Sequence, residues 1–268
     1  MTSVPYELVA IDVDGTLLDS GYQVAAGARE AIRSVYTRGL KPVLVTGRST
    51  LSIERLYDEL DLSPYYITSG GAYVGRFGGD VIFKALIADE DAAAITRMAR
   101  EHGIGICFHQ LDKQRCEVDD RTIALLHTIV GNGVERVDDI LAATTTAPAK
   151  ITAFGERDEL EALDREIAAR DMRIATVFSG AIFLEIAREG VSKGNALTVL
   201  AGHLGIPLER IVVIGDQEND ISMFRIAGLS IAMGNAPDVV KRQAQHVAPT
   251  NDESGLAWAL SNIVLGEA

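Results

Sequence analysis

The sequence holds only two cysteines, Cys107 and Cys116, in 268 residues. Two cysteines cannot build a disulfide-dense scaffold, and their spacing is not that of a CxxC metal knuckle. The expectation is a pair of reduced structural thiols in a reducing cytosol. The five histidines show no metal-ligand spacing. Long apolar runs are also missing, which argues against membrane-spanning helices. The apolar stretch Val9-Ala10-Ile11-Asp12-Val13-Asp14 carries two acids. It lacks the basic flank and long apolar centre of a secretory signal. These absences suit a soluble, cytoplasmic protein. Basic residues are scarce: 25 Lys and Arg stand against 38 Asp and Glu, for a net charge of −13. Such a chain repels nucleic acid and anionic membranes at long range, so neither is an expected partner. An anionic small molecule needs positive charge supplied locally by the site. Nothing in the sequence indicates an oligomeric state.

What is present points to an α/β protein. Hydrophobic residues make up 47% of the chain, enough for one large or two modest domains. Short runs rich in β-branched residues alternate with helical patterns. Strands are expected at 8–13, 41–46, 65–68, 211–214 and 229–232. Helices are expected at 25–38, 49–60, 195–203 and 221–227. Apolar strands alternating with helices indicate a parallel sheet covered on both faces. From about Lys84 to Arg188 the pattern is mixed, with helices near 89–102, 120–130 and 157–170 and short strands between them. Phe178-Ser179-Gly180-Ala181-Ile182 reads as a hairpin turn of an α+β unit. The crossings between the two units are expected at Gly75–Asp80 and Arg188-Glu189-Gly190.

The chemistry-bearing residues cluster at strand ends, where parallel α/β sheets bind ligands. The first strand ends in Asp12-Val13-Asp14-Gly15-Thr16. Two carboxylates this close disfavour joint ionisation, and a bound cation relieves the conflict. Thr46-Gly47-Arg48 closes the second strand before a helix start, an arrangement suited to an oxyanion. Lys193, just before a helix, can supply the positive charge that an acidic phosphate-binding protein needs. Gly215-Asp216-Gln217-Glu218-Asn219-Asp220 puts further acids at a strand end. Asp216 can share a cation with Asp12. Asn219 can donate to a phosphate oxygen, and Asp220 can hold Lys193 or a metal-bound water.

These four segments resemble, in order, the four motifs of the haloacid dehalogenase-like hydrolases, and most closely their Cof-type sugar-phosphatase branch. The likeness extends through Asn219-Asp220-Ile221-Ser222-Met223-Phe224, Ala232-Met233-Gly234-Asn235-Ala236 and Thr250-Asn251-Asp252-Glu253-Ser254-Gly255. It implies a Rossmann-like doubly wound core over 1–83 and 189–268, with an inserted C2-type α+β cap over 84–188. Two departures stand near the crossings. Ser69-Gly70-Gly71-Ala72 replaces the frequent Asn-Gly-Ala, and Ala187-Arg188 stands where a proline often follows the Leu-Glu-Ile stretch.

The resemblance also implies roles. Asp12 is the nucleophile that forms a phosphoaspartate, and Asp14 is the general acid and base. Mg2+ is held by Asp12, the Asp14 carbonyl and Asp216. The Val13 backbone, Thr46, Gly47, Lys193 and Asn219 bind phosphate, with Asp220 behind them. The expected substrate is a small phosphorylated metabolite, first of all a sugar phosphate. The cap acts as a lid, with His109, Arg115 and Glu185 as candidate contacts to the leaving group. A phosphomutase on the same motifs and a non-catalytic phosphate-metabolite sensor are the rival readings.

Overall fold

A computed structural model describes residues 6–111, 113–130, 133–178 and 182–266. Five strands precede the insertion: β1 (Leu8–Ile11), β2 (Lys41–Val45), β3 (Tyr65–Thr68), β4 (Tyr73–Arg76) and β5 (Val81–Lys84). Within it lie β6 (Gly105–His109), β7 (Gln114–Glu117), β8 (Val134–Arg136), β9 (Lys150–Phe154), β10 (Ile174–Phe178) and β11 (Phe183–Arg188). Afterwards come β12 (Ile211–Gly215), β13 (Leu229–Ala232) and β14 (His246–Val247). The chain divides into two compact units, one of residues 1–47, 54–83 and 192–268, the other of 48–53 and 84–191.

The first unit is an eight-stranded sheet in the order β14-β13-β12-β1-β2-β3-β4-β5. Every pair from β14 to β3 is parallel, and β4 joins β3 antiparallel. Strands β1 and β12 are buried along their whole length because both faces are covered, which is why they read as unbroken apolar runs. The chain begins in the middle at β1 and adds β2 and β3 on one side. It later returns to place β12, β13 and β14 on the other. The order therefore reverses between β1 and β12, the switch point at which such sheets open a crevice beyond their carboxyl ends. The helix Lys193–Leu204 covers one face. Its Ala196, Leu197, Leu200 and Ala201 pack with Val43, Val45, Ile67 and Val213. Each buried leucine there contributes about 1.5–3 kcal/mol. Ser192 caps this helix by accepting from the Asn195 N–H at 3.1 Å, and Gly205 ends it in the left-handed region. Among the described residues no helix is long and apolar enough to cross a membrane.

The second unit is a six-stranded sheet in the order β10-β11-β9-β6-β7-β8. The helices Asp89–Glu101 and Arg157–Ala168 cover one face, joining Ile95, Met98, Leu160 and Leu163 to Ile106, Ile151 and Ile186. This is the α+β character expected of the insertion. The turn 179–181 lies outside the described residues, but the flanking strands β10 and β11 pair antiparallel as a hairpin requires.

Three expectations need correction. Gly75–Asp80 is not a crossing: it includes the end of β4 and the turn to β5, its neighbour in the core sheet. The return crossing falls after Val191 because β11 runs on to Arg188. The two cysteines are not free thiols. The antiparallel register of β6 and β7 sets Cys107 opposite Cys116 with Cα atoms 4.0 Å apart, and the pair forms a disulfide. Directly opposed residues on antiparallel strands are the closest cross-strand neighbours, which is what allows the bond.

Candidate active site

The site is built on the tips of β1 and β12, with Lys193 supplied by the helix that follows the insertion. Strand β1 runs straight into Asp12, whose N–H still donates to the Ile214 carbonyl at 3.0 Å. Gly15 then turns the chain with φ at +78°. A Cβ at Gly15 would lie 2.4 Å from Asp216 Oδ2, so the turn demands glycine for both conformation and space. Gly194 plays a matching part. Its added Cβ would lie 2.2 Å from the Ser222 carbonyl, and its N–H donates to Ser222 Oγ at 3.0 Å. That close approach seats the start of the helix beside Asp220.

Lys193 is 2% exposed and bridges two acids. Its Nζ lies 2.6 Å from Asp12 Oδ1 and 2.6 Å from Asp220 Oδ1. The other oxygen of Asp220 accepts from the Asp216 and Gln217 N–H groups, both at 2.9 Å. Asp220 is thus committed to holding the lysine and the loop. One carboxylate oxygen from each of Asp12, Asp216 and Asp220 falls within 4.8 Å of the others, a spacing that could hold a metal ion.

The electrostatics say what this cluster lacks. Burial pushes the Asp12 carboxyl well above its ordinary range; Lys193 opposes this, and Asp220 and Asp216 add to it. Burial also raises Asp216, again with help from Asp220, while hydrogen bonds from Gln217 and Thr16 oppose. Burial alone would lower the Lys193 ammonium, but Asp12 and Asp220 outweigh it and hold it above its usual value. Three buried acids around one lysine leave unbalanced negative charge. The oxygen-only donor set around that excess fits a hard divalent cation such as Mg2+.

The remaining expected residues fall as follows. Val13 is fully buried, and its carbonyl accepts from the Leu18 N–H at 2.9 Å. Asp14 is partly exposed, and its side chain is not part of the acid cluster. Thr46 is fully buried just beyond β2; its N–H donates to Ile67 and its carbonyl accepts from Gly70. Beside Gly47 there is open space where a side chain would sit. Asn219 is exposed in the turn Glu218–Asp220. In the insertion, His109 pairs with Thr152 at 2.8 Å, Arg115 with Gln110 and Glu135, and Glu185 with Lys150 at 2.5 Å. A cavity of about 810 Å³ in that unit is lined by Arg100, Glu117, Arg121 and Phe154 among others, and by none of the motif residues.

Sequence reasoning assigned no role to Thr16, Gln217, Asn235 or Asn251. Thr16 Oγ1 donates to Asp216 Oδ1 at 3.2 Å. Gln217 Nε2 and Asn235 Nδ2 donate to Asp216 Oδ2 at 2.9 and 3.2 Å. Asn251 donates its N–H to Asn235 Oδ1 at 3.0 Å. The one available signal was their place in the family-like stretches: Thr16 and Gln217 in the first and last motifs, Asn235 and Asn251 in the segments beyond them.

A doubly wound sheet that gathers acids and a buried lysine at its switch point defines an α/β protein with a site suited to an anionic ligand beside a cation. Comparison with known proteins gives that class its family: the chain belongs to the haloacid dehalogenase-like hydrolases, whose profile matches residues 9–260. It is 30% identical to the 5-amino-6-(5-phospho-D-ribitylamino)uracil phosphatase YwtE of Bacillus subtilis, over 97% of this chain and 98% of that one. A haloacid dehalogenase-like hydrolase from Bacteroides thetaiotaomicron superposes with a TM-score of 0.90 at 28% identity, covering 96% of this chain and 99% of the other. The subclass IIB sugar phosphatase BT4131 superposes at 0.82 with 25% identity, over 96% and 98%. Both the Bacillus subtilis relative and BT4131 are named as phosphatases.

Proposed function

We propose that the protein is a Mg2+-dependent cytoplasmic phosphatase of small phosphorylated metabolites that works through a phosphoaspartate on Asp12. The observation that carries this reading is the contact of Lys193 Nζ with Asp12 Oδ1 at 2.6 Å inside a cluster that still lacks positive charge. Asp12 is the acid that both the lysine and a divalent cation would hold ionised and aimed.

In the first half-reaction an Asp12 carboxylate oxygen attacks phosphorus and the P–O bond to the leaving group breaks. Asp14 gives its proton to the departing alkoxide. In the second, Asp14 takes a proton from water as that water attacks the acyl phosphate, releasing inorganic phosphate and restoring the Asp12 carboxylate. Lys193, the Val13 and Gly47 backbone, Thr46 and Asn219 bind the phosphoryl oxygens, and Asp220 positions the lysine. The Asp12 and Asp216 carboxylates and the Asp14 carbonyl would hold Mg2+, which when bound supplies charge neutralisation at the transferring group.

The substrate class favoured is a phosphorylated sugar or sugar alcohol. The relatives' names support this: one acts on a phosphoribityl compound and another is a sugar phosphatase. The test is phosphate release from a panel of such metabolites by wild-type enzyme, by enzyme in excess EDTA, and by Asp12→Asn. Release is expected only from wild type with Mg2+. Full turnover in EDTA, or in Asp12→Asn, refutes the reading. A strict need for a bisphosphate activator would favour a phosphomutase instead.

A further inference from the structure

We infer that Asn235 is a positioning residue that makes Asp216 a one-oxygen metal ligand and so selects a small octahedral cation over calcium. The inference rests on the proposed cation site between Asp12 and Asp216. An ionised carboxylate has about four acceptor directions, two on each oxygen. On Asp216 Oδ2, Gln217 Nε2 donates at 2.9 Å and Asn235 Nδ2 at 3.2 Å, which occupies both. On Oδ1, Thr16 Oγ1 takes one at 3.2 Å. One direction remains, and a carboxylate oxygen of Asp12 lies within 4.8 Å of one on Asp216. A cation shared by the two acids therefore meets Asp216 through Oδ1 alone.

This matters because the two common hard cations want different things. Ca2+ takes six to eight oxygens and readily uses both oxygens of one carboxylate, whereas Mg2+ demands a compact octahedron of single contacts. With Oδ2 filled by amide donors, the two-oxygen mode is closed.

Asn235 is itself held from two further sides. The same Nδ2 donates to the Gly15 carbonyl at 2.9 Å, and its Oδ1 accepts from the Asn251 N–H at 3.0 Å. Asn251 in turn donates through Nδ2 to the Leu18 carbonyl at 2.9 Å. Asn235 thus ties together the turn after β1, the loop after β12 and the segment 250–253. None of these contacts is local in sequence, so the amide is fixed by the fold and not by its own loop.

The test measures cation affinity on the full chain without turnover, by calorimetric titration of Mg2+ and of Ca2+ into metal-free protein. Wild type, Asn235→Ala, Gln217→Ala and Asp252→Asn are compared. Gln217→Ala removes the other Oδ2 donor without disturbing the Asn235–Asn251 contact, and covers the case in which Asn235→Ala does not fold. Asp252→Asn alters the same segment at its bond to the Ser20 N–H, away from Asp216. Loss of an outer-layer partner typically weakens metal binding about 10–100-fold. The expected result is that Mg2+ binding weakens by that factor in both Oδ2 variants while Ca2+ binding holds or tightens. The preference for Mg2+ then falls at least about tenfold, and Asp252→Asn keeps the wild-type preference. An unchanged Mg2+/Ca2+ preference in both Oδ2 variants overturns the inference and leaves the proposed function standing. Failure of wild type to bind Mg2+ at all would overturn both.

Discussion

Replacing Lys193 by methionine isolates the central electrostatic claim. Methionine keeps an unbranched apolar stem one atom shorter, and the ammonium is lost with its charge and its two hydrogen bonds. At an effective dielectric near 20, each 2.6 Å contact of Lys193 with Asp12 and Asp220 amounts to roughly 6 kcal/mol of attraction. Desolvation of three buried ions offsets several kcal/mol per ion. The net cost of removing one partner from a buried pair is about 3–5 kcal/mol, because the stranded acids must protonate or repel one another. The sole tryptophan, Trp258, lies in the same unit and reports its unfolding by fluorescence. Urea unfolding in EDTA should show Lys193→Met destabilised by about 3–5 kcal/mol. Saturating Mg2+ should stabilise the variant more than wild type, since a divalent ion replaces part of the missing charge. Turnover should fall about 10²–10³-fold, as when an oriented donor to a reacting oxyanion is removed. A stability loss below about 1 kcal/mol, within the range of an exposed ion pair, would refute the picture of a lysine clamped between buried acids.

Other tests address the supports of the site and the insertion. Gly194→Ala forces a methyl group to 2.2 Å from the Ser222 carbonyl. Overpacking of this kind costs about 1–3 kcal/mol, read as a lower urea midpoint, and displacement of Lys193 should lower activity as well. In the insertion, burial, assisted by Lys150, holds His109 well below its ordinary value. A depressed pKa favours the neutral form in the folded state. Its contribution is therefore complete above the unfolded value near 6.5 and is lost as pH falls through the folded value. Protection of β6 and β9 against hydrogen exchange, taken relative to the intrinsic rate at each pH, should fall below about pH 6.5, and His109→Gln should flatten that fall; an equally steep fall in the variant would remove His109 as its source. Glu117, lowered mainly by its hydrogen bond from Arg100, adds a loss of the same sign at more acidic pH. Arg100→Ala should shrink that loss in the same protection measurement, because the folded carboxyl then returns towards its unfolded value.

How much was legible in the sequence depended on how local the information is. Strands β1, β2 and β12 were readable because burial on both faces makes each an unbroken apolar run. The acids at their ends stood out because carboxylates are costly beside such runs. By contrast, β7 (Gln-Arg-Cys-Glu) and β14 (His-Val) are too short and polar to carry a pattern. Their strand character comes from neighbours in the sheet. The disulfide was missed for a related reason, since pairing of Cys107 with Cys116 depends on the register of β6 against β7. The donors to Asp216 were hidden most deeply. Thr16 reaches it across 200 residues of chain, a contact fixed by the parallel pairing of β1 and β12.

That separation bears on how the molecule is made. Strand β1 emerges early from a ribosome, but its partner β12 is encoded beyond the whole insertion. Until then one edge of the central strand has no neighbour, while the inserted unit already has every strand of its own sheet. Long-range pairings of this kind are slow to form and leave an open edge to be guarded. A nascent chain cut short before Ile211 would carry Asp12 and Lys193 but no finished sheet to hold them, and chaperone occupancy should peak over that interval of synthesis.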